Sequence, residues 1–172
     1  LALVAEADAL IVRNRTQVRG SLLEAARKLV CVGRLGVGLD NIDVVVCEAR
    51  GIDVHPATGA NNLSVAEYVM TAALMLLRGA WLSSASVAAG EWPRQRMMGR
   101  ELAGKTLGLV GLGAIAREVV WRAGEFGMQI VAYDPHVAAN DPAWQVVRNV
   151  SLDGLFEIAD VVSLHVPLTD AT

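Results

Sequence analysis

Cysteine is scarce in this chain. The only two, Cys31 and Cys47, stand 16 residues apart in apolar surroundings, without CxxC spacing. That pattern gives no disulfide framework, and both read as buried small hydrophobes in a reducing compartment. Ligand side chains do not gather at metal spacing, so no metal site is expected. An excess of positive charge is also missing. The formal net charge is −3, which removes the electrostatic reason to expect nucleic acid or an anionic membrane as partner. Long hydrophobic runs are absent too. The richest, Tyr68 to Leu77, is far too short to span a bilayer and is preceded by Glu67. With no secretory signal visible, the cytoplasm is the expected location. Repeats and low-complexity segments are lacking. The chain opens at Leu1, not at Met, and stops at Thr172 just after a strand-like run; it reads as a fragment.

What is present is apolar and α/β in rhythm. Hydrophobic residues make up 53% of the chain, which indicates substantial buried surface. The most informative stretch is Gly104 to Asp134. It predicts a strand (Thr106–Val110), a glycine turn (Gly111-Leu112-Gly113-Ala114-Ile115-Ala116), a helix to about Gly127, and a second strand (Met128–Tyr133) ending in Asp134. That is the order of a dinucleotide-binding βαβ unit. Gly111 allows the tight turn, and Gly113 has no Cβ to block a pyrophosphate. Ala116 supplies the small residue that close helix–sheet packing needs. The helix N-terminus, at Ala114 and Ile115, offers free N–H groups and partial positive charge to phosphates. Asp134 falls 21 residues after Gly113, where a carboxylate accepts hydrogen bonds from a ribose hydroxyl pair. It would repel a 2′-phosphate, so NAD is favoured over NADP. On the turn alone two alternatives stand: a glycine turn that binds no nucleotide, and one that binds another adenosine ligand such as S-adenosylmethionine.

Upstream, strands are expected at Ala9–Val12, Leu29–Val32 and Ile52–His55, with helices at Gly20–Arg27 and Asn41–Arg50. The connections are long enough for crossovers, so a parallel sheet follows. A long helical stretch runs from Ser64, read as N-cap of a capping box with Glu67, to about Ala89, broken or bent at Gly79 and Ser83-Ser84. Its apolar residues go nearly all the way round, as in a helix buried between domains or at a subunit contact. Trp81 and Trp92 mark an oligomer interface if exposed, or fill an interdomain core if not. Downstream of Asp134 come an irregular Pro-containing stretch, a short helix (Leu152–Ile158) capped by Ser151, and a strand at Asp160–Val166. The expected fold is α/β: two Rossmann-like or flavodoxin-like parallel-sheet domains, both incomplete, comprising residues 1–77 and 78–172.

Three motifs together resemble the D-isomer-specific 2-hydroxyacid dehydrogenase family, which includes phosphoglycerate dehydrogenases. They are Val32-Gly33-Arg34-Leu35-Gly36-Val37-Gly38-Leu39-Asp40-Asn41-Ile42-Asp43; Asn61-Asn62-Leu63-Ser64-Val65-Ala66-Glu67-Tyr68; and Glu101 to Thr106 with the glycine turn and Asp134, followed by Asp160 to Thr169. The match covers essentially the whole chain in the family's order. The resemblance implies an NAD-dependent oxidoreductase, a homodimer, with residues 1–77 in the substrate domain and 78–172 in the first half of the nucleotide domain. It further implies that backbone N–H groups of Gly36, Val37 and Gly38 hold the substrate carboxylate, consistent with the concave anion site such turns make. The alternative is that these glycines only shape a strand-to-helix turn. Arg34 is placed to grip a second substrate anion; Arg13 and Arg15, at the preceding strand end, are either further anion contacts or solvated arginines. By resemblance the substrate is a small 2-hydroxy acid of phosphoglycerate or sulfolactate type, left open because Thr58 stands where many relatives have proline. His165, Val166, Pro167 and Thr169 are expected to border the adenosine side of the cofactor pocket, although His165 reads equally as a packed histidine. His55 and His136 carry no signal beyond a loop or surface role.

The family's catalytic arginine, glutamate and histidine are all expected beyond residue 172, so no catalytic residue is assigned within this chain. The reading from a different class is a non-catalytic NAD(H)-sensing corepressor of the same fold. A poorly folded truncated product is the third.

Overall fold

A computed structural model describes residues 2–167, which divide into two compact units meeting between Asn61 and Asn62. The first unit holds three strands, β1 (Ala9–Val12), β2 (Cys31–Arg34) and β3 (Asp53–Pro56), with helices α1 (Ser21–Ala25) and α2 (Val44–Ala49) between them. The strands pair in parallel in the order β1-β2-β3. β2 lies two residues later than the sequence suggested, because its register sets Ala9 beside Cys31 and Val12 beside Arg34. Leu29 is still buried, packed with Val12, Val18, Leu23, Val32, Ile42, Cys47 and Ile52. Helix α2 starts at Val44 and not at Asn41, since the Asp43 carboxylate accepts the Val46 N–H at 3.1 Å as an N-cap.

The second unit begins with α3 (Asn62–Arg78) and the short helix α4 (Ser84–Ala88), separated by a 3-10 turn at Ala80–Ser83. Then follow β4 (Thr106–Val110), α5 (Ala114–Glu125), β5 (Gln129–Tyr133), β6 (Arg148–Asn149), α6 (Leu152–Ile158) and β7 (Val161–Leu164). The sheet is wholly parallel, in the order β6-β5-β4-β7. Gly108, within β4, has no room for a side chain: a Cβ would stand 2.7 Å from Leu155 Cδ2 and 2.9 Å from Ala159 Cβ. Helix α6 therefore packs flat against the strand. The Ser151 hydroxyl caps it, accepting the Gly154 N–H at 3.1 Å.

Three expectations change. The boundary between units falls at 61/62 and not at 77/78, because Ala66, Met70, Ala73 and Leu77 of α3 belong to the core built around Leu107, Leu109 and Val119. Ser64 is not the N-cap of α3, which already begins at Asn62. Nor is α3 buried all round: those four residues form one stripe, while Tyr68 and Leu76 are exposed. The helix does break where glycine allows it, with Gly79 in the left-handed region (φ 62°) and a 61° bend before the next helical segment. Trp81 and Trp92 are 55% and 84% exposed, so neither fills a core. The strand β6, with its two residues Arg148 and Asn149, was not legible in the irregular stretch after Asp134.

Candidate functional site

The strand order puts β4 beside both β5 and β7, so the chain reverses its direction of travel across the sheet between β4 and β7. In an open parallel sheet that reversal leaves a crevice at the carboxyl ends of the strands. The glycine turn sits there. Gly111 takes φ +93° and donates its N–H to Tyr133 O at 2.8 Å, and a Cβ on it would stand 2.7 Å from His165 O. Two separate constraints therefore demand glycine: a left-handed backbone and the close approach of the segment after β7. Gly113 is different. A Cβ there would meet no protein atom within 4 Å, so the space in front of it is open. Gly113 also precedes α5 with no side-chain cap on the helix amides, which leaves the N-terminus facing that space with donors unused. Ala114 is exposed and Ile115 half-buried at this end, while Ala116 is fully buried where helix meets sheet.

Asp134 is held before any ligand arrives. Its Oδ2 accepts the Leu112 N–H at 2.7 Å and its Oδ1 the His136 N–H at 2.8 Å. Burial works to raise the pKa of this carboxyl, but the amides of Leu112 and His136 outweigh it and hold it below its ordinary value. The Val137 amide adds to this hold; a carboxylate offers about four lone-pair sites, so an ionised acceptor remains for a ribose hydroxyl. On the β7 side, His165 donates its N–H to Val110 O at 2.8 Å, and its Nε2 lies 3.0 Å from Ser163 Oγ. Burial pushes the imidazole below its usual pKa. Val166 and Pro167 continue this segment at the surface; Thr169 lies outside the described residues.

One brace was missed in the sequence. Arg117 donates from Nε to Leu112 O at 3.1 Å and from Nη1 and Nη2 to the two oxygens of Asp141 at 2.9 and 2.8 Å. The turn residue Leu112 is thus gripped at its N–H by Asp134 and at its carbonyl by Arg117. Asp141 also accepts the Ala143 N–H at 2.8 Å at the start of the 3-10 turn Pro142–Gln145. The available signal was the Asp-Pro pair, an N-cap followed by a proline at the first helical position.

In the first unit, the loops after β1 and β2 emerge from the carboxyl edge of adjacent strands. Gly36 takes φ +152° and turns its N–H back to Arg34 O at 2.9 Å. The amides of Val37 and Gly38 make no hydrogen bond among the described residues. Of the three amides expected to form a cradle, the Gly36 N–H is therefore already engaged and two are not. Arg34 departs further from expectation. Its side chain is buried, donating from Nε to Asn41 Oδ1 at 3.2 Å and from Nη1 to Leu35 O at 2.7 Å. It tucks beneath Gly36, where a Cβ would stand 2.1 Å from Nη1. Arg34 supports the loop and does not project to a ligand. Arg13 and Arg15 are exposed and line an open groove of about 460 Å³ with Asn14 and Thr16, while the exposed Arg19 donates to Asp40 O.

Comparison with known proteins agrees with this geometry. Residues 70–172 match the family described as D-isomer specific 2-hydroxyacid dehydrogenase, NAD binding domain. The chain is 59% identical over 165 residues to a (S)-sulfolactate dehydrogenase of Chromohalobacter salexigens, covering 95% of this chain and 53% of that protein. It is 44% identical over 170 residues to a D-3-phosphoglycerate dehydrogenase of Methanocaldococcus jannaschii, covering 98% of this chain and 32% of that one. Among solved structures, a D-lactate dehydrogenase from Aquifex aeolicus, complexed with NAD and lactic acid, superposes with a TM-score of 0.89 at 29% identity, covering 98% of this chain and 51% of that one. The chain thus spans about half the length of the first relative and about a third of the second. A glycine turn at the reversal point of a parallel sheet, an anchored acid beside it and these matches lead to one conclusion: the chain belongs to the D-isomer-specific 2-hydroxyacid dehydrogenase family and carries its NAD-binding domain.

Proposed function

We propose that the full-length protein is an NAD-dependent dehydrogenase acting on a small 2-hydroxy acid with a second anionic group, of sulfolactate or phosphoglycerate type. The observation that carries the substrate class is the pairing of two unengaged amides, Val37 and Gly38, with two exposed arginines, Arg13 and Arg15, on neighbouring loops of one sheet edge. Amides in a glycine-rich turn suit a carboxylate, and guanidinium groups suit a sulfonate or phosphate. The named activities of the two relatives support the same class.

Bound NAD supplies the hydride acceptor for oxidation at C2. The chain's own part is to hold and orient. The Gly113–Ala114–Ile115 amides face the open space suited to a pyrophosphate, Asp134 offers its remaining acceptor capacity to a ribose hydroxyl, and the 165–167 segment walls the turn. The test is reduction of a panel of 2-oxo acids by the full-length polypeptide with NADH. Turnover of 3-sulfopyruvate or 3-phosphohydroxypyruvate well above pyruvate is the expected result; NADH binding with no turnover of any 2-oxo acid would instead favour a corepressor-like sensor. Replacing Arg13 and Arg15 by Met is expected to raise KM for the dianions at least tenfold and for pyruvate less than threefold, the range that a hydrogen bond to a charged group supports. The exposed Trp81 and Trp92 support a homodimer, which light scattering of the full-length protein tests. The unpaired Cys31 and Cys47 are consistent with a cytoplasmic location.

A further inference from the structure

Asn41 is 1% exposed, lies beside the apolar residues Val18 and Ile42, and spends its whole side chain on loops that the sequence keeps far apart. Its Nδ2 donates to two carbonyls of the loop after β1, Arg13 O at 2.9 Å and Thr16 O at 2.7 Å. Its Oδ1 accepts from Arg34 Nε at 3.2 Å, and Arg34 Nη1 in turn donates to Leu35 O at 2.7 Å, at the start of the loop after β2. Arg34 O accepts the Ala57 N–H at 3.0 Å, which ties in the segment after β3. One buried amide group therefore joins the loops after β1 and β2, and the Arg34 backbone independently ties in the segment after β3. Burying an amide is costly unless every polar atom is satisfied, and here both N–H groups and the oxygen are. An apolar residue would leave the backbone ties, Val18 N–H to Asn41 O at 2.8 Å and Asp43 N–H to Val18 O at 3.0 Å, and the Arg19 contact with Asp40 O, but would remove the side-chain links to Arg13 O, Thr16 O and Arg34.

We propose that Asn41 is a positioning residue that sets the separation between the loop bearing Arg13 and Arg15 and the Val37–Gly38 amide pair, and so sets the preference for a dianionic over a monoanionic substrate. The inference rests on the substrate reading given under Proposed function. Neither anion touches Asn41. Its Nδ2 branch holds the arginine loop, and its Oδ1 branch, through Arg34, holds the amide loop. The two branches are chemically separable. Asn41→Asp keeps an oxygen for Arg34 but turns the donor into a carboxylate oxygen facing two carbonyls, so the arginine loop alone is pushed away. Arg34→Lys keeps the charge but replaces the fixed, separate Nε and Nη1 donors of the planar guanidinium with a single rotatable ammonium, so it slackens the amide loop.

The experiment compares kcat and KM of the full-length enzyme and these variants for 3-sulfopyruvate and pyruvate, with NADH affinity and the thermal midpoint recorded as checks on folding. Asn41→Asp is expected to raise KM for 3-sulfopyruvate at least tenfold while changing KM for pyruvate and the affinity for NADH less than twofold. Arg34→Lys is expected to raise KM for both acids by a similar factor, because the carboxylate is common to them. An equal loss on both acids in Asn41→Asp, or no change on either, overturns the inference and leaves the substrate reading standing. If Asn41→Asp does not fold, Arg34→Lys decides: a loss confined to 3-sulfopyruvate overturns the inference. A wild-type enzyme that shows no preference between the acids defeats the substrate reading and this inference together.

Discussion

Two glycines of one turn, two residues apart, serve different purposes, and substitution separates them. Gly111 is required by the fold. Alanine there would occupy a left-handed backbone position and bring Cβ to 2.7 Å from His165 O, so Gly111→Ala is expected to cost about 2–4 kcal/mol of stability, measured by urea unfolding. Gly113 is required by the ligand. Gly113→Ala adds a methyl to open space and is expected to leave the urea midpoint nearly unchanged while weakening NADH binding at least tenfold in a fluorescence titration. Equal effects of the two substitutions on stability would contradict this division. For Asp134, replacement by Ala removes the acceptor and its anchoring of Leu112 and His136. Weaker NADH binding and a smaller gap between NADH and NADPH affinities are expected; an unchanged ratio would refute its role in cofactor choice.

At the scale of elements, legibility followed how local the cause was. Strands β1 and β4 stand where the apolar runs placed them, Ala9–Val12 and Thr106–Val110. Helix α6 starts at its Ser151 cap, because a cap is a bond between near neighbours. Ser151→Ala is expected to cost about 1 kcal/mol, read from the thermal midpoint. What the sequence concealed depends on distant partners. β2 slid by two residues to match β1, and α3 went to the second unit because the stripe Ala66, Met70, Ala73 and Leu77 joins the core that includes α5. In the site, glycines and the acid were readable from spacing, whereas the inward turn of Arg34 was not, since its partner Asn41 offered no charge to flag a pairing. The Arg117–Asp141 brace joins residues 24 apart in the chain. Asp141→Asn is expected to loosen the grip on Leu112 and lower NADH affinity several-fold, and an unaltered affinity would make the brace structural only.

For the molecule as a whole, three carboxyls, Asp134, Asp141 and Asp160, titrate below their ordinary value in the folded state. Amide hydrogen bonds outweigh burial at the first, the Arg117 pairing leads at the second, and the Thr106 N–H, then Lys105, at the third. A group whose pKa is lower folded than unfolded stabilises fully above the unfolded value, near 4, and loses that contribution as pH falls through the folded one. The second unit, which contains all three, is therefore expected to weaken below about pH 4. The stability gap between wild type and Asp160→Asn, seen at pH 7 by urea unfolding, should narrow as the pH falls below about 4. The strand order has a consequence for synthesis. The glycine turn and Asp134 leave the ribosome early, yet Gly111 is walled by His165, more than fifty residues later. A nascent chain that has emerged only as far as β6 carries every glycine of the fingerprint and still lacks the far side of the crevice. Affinity for the dinucleotide then waits until β7 docks against β4 across that long sequence separation, a slow kind of contact to form.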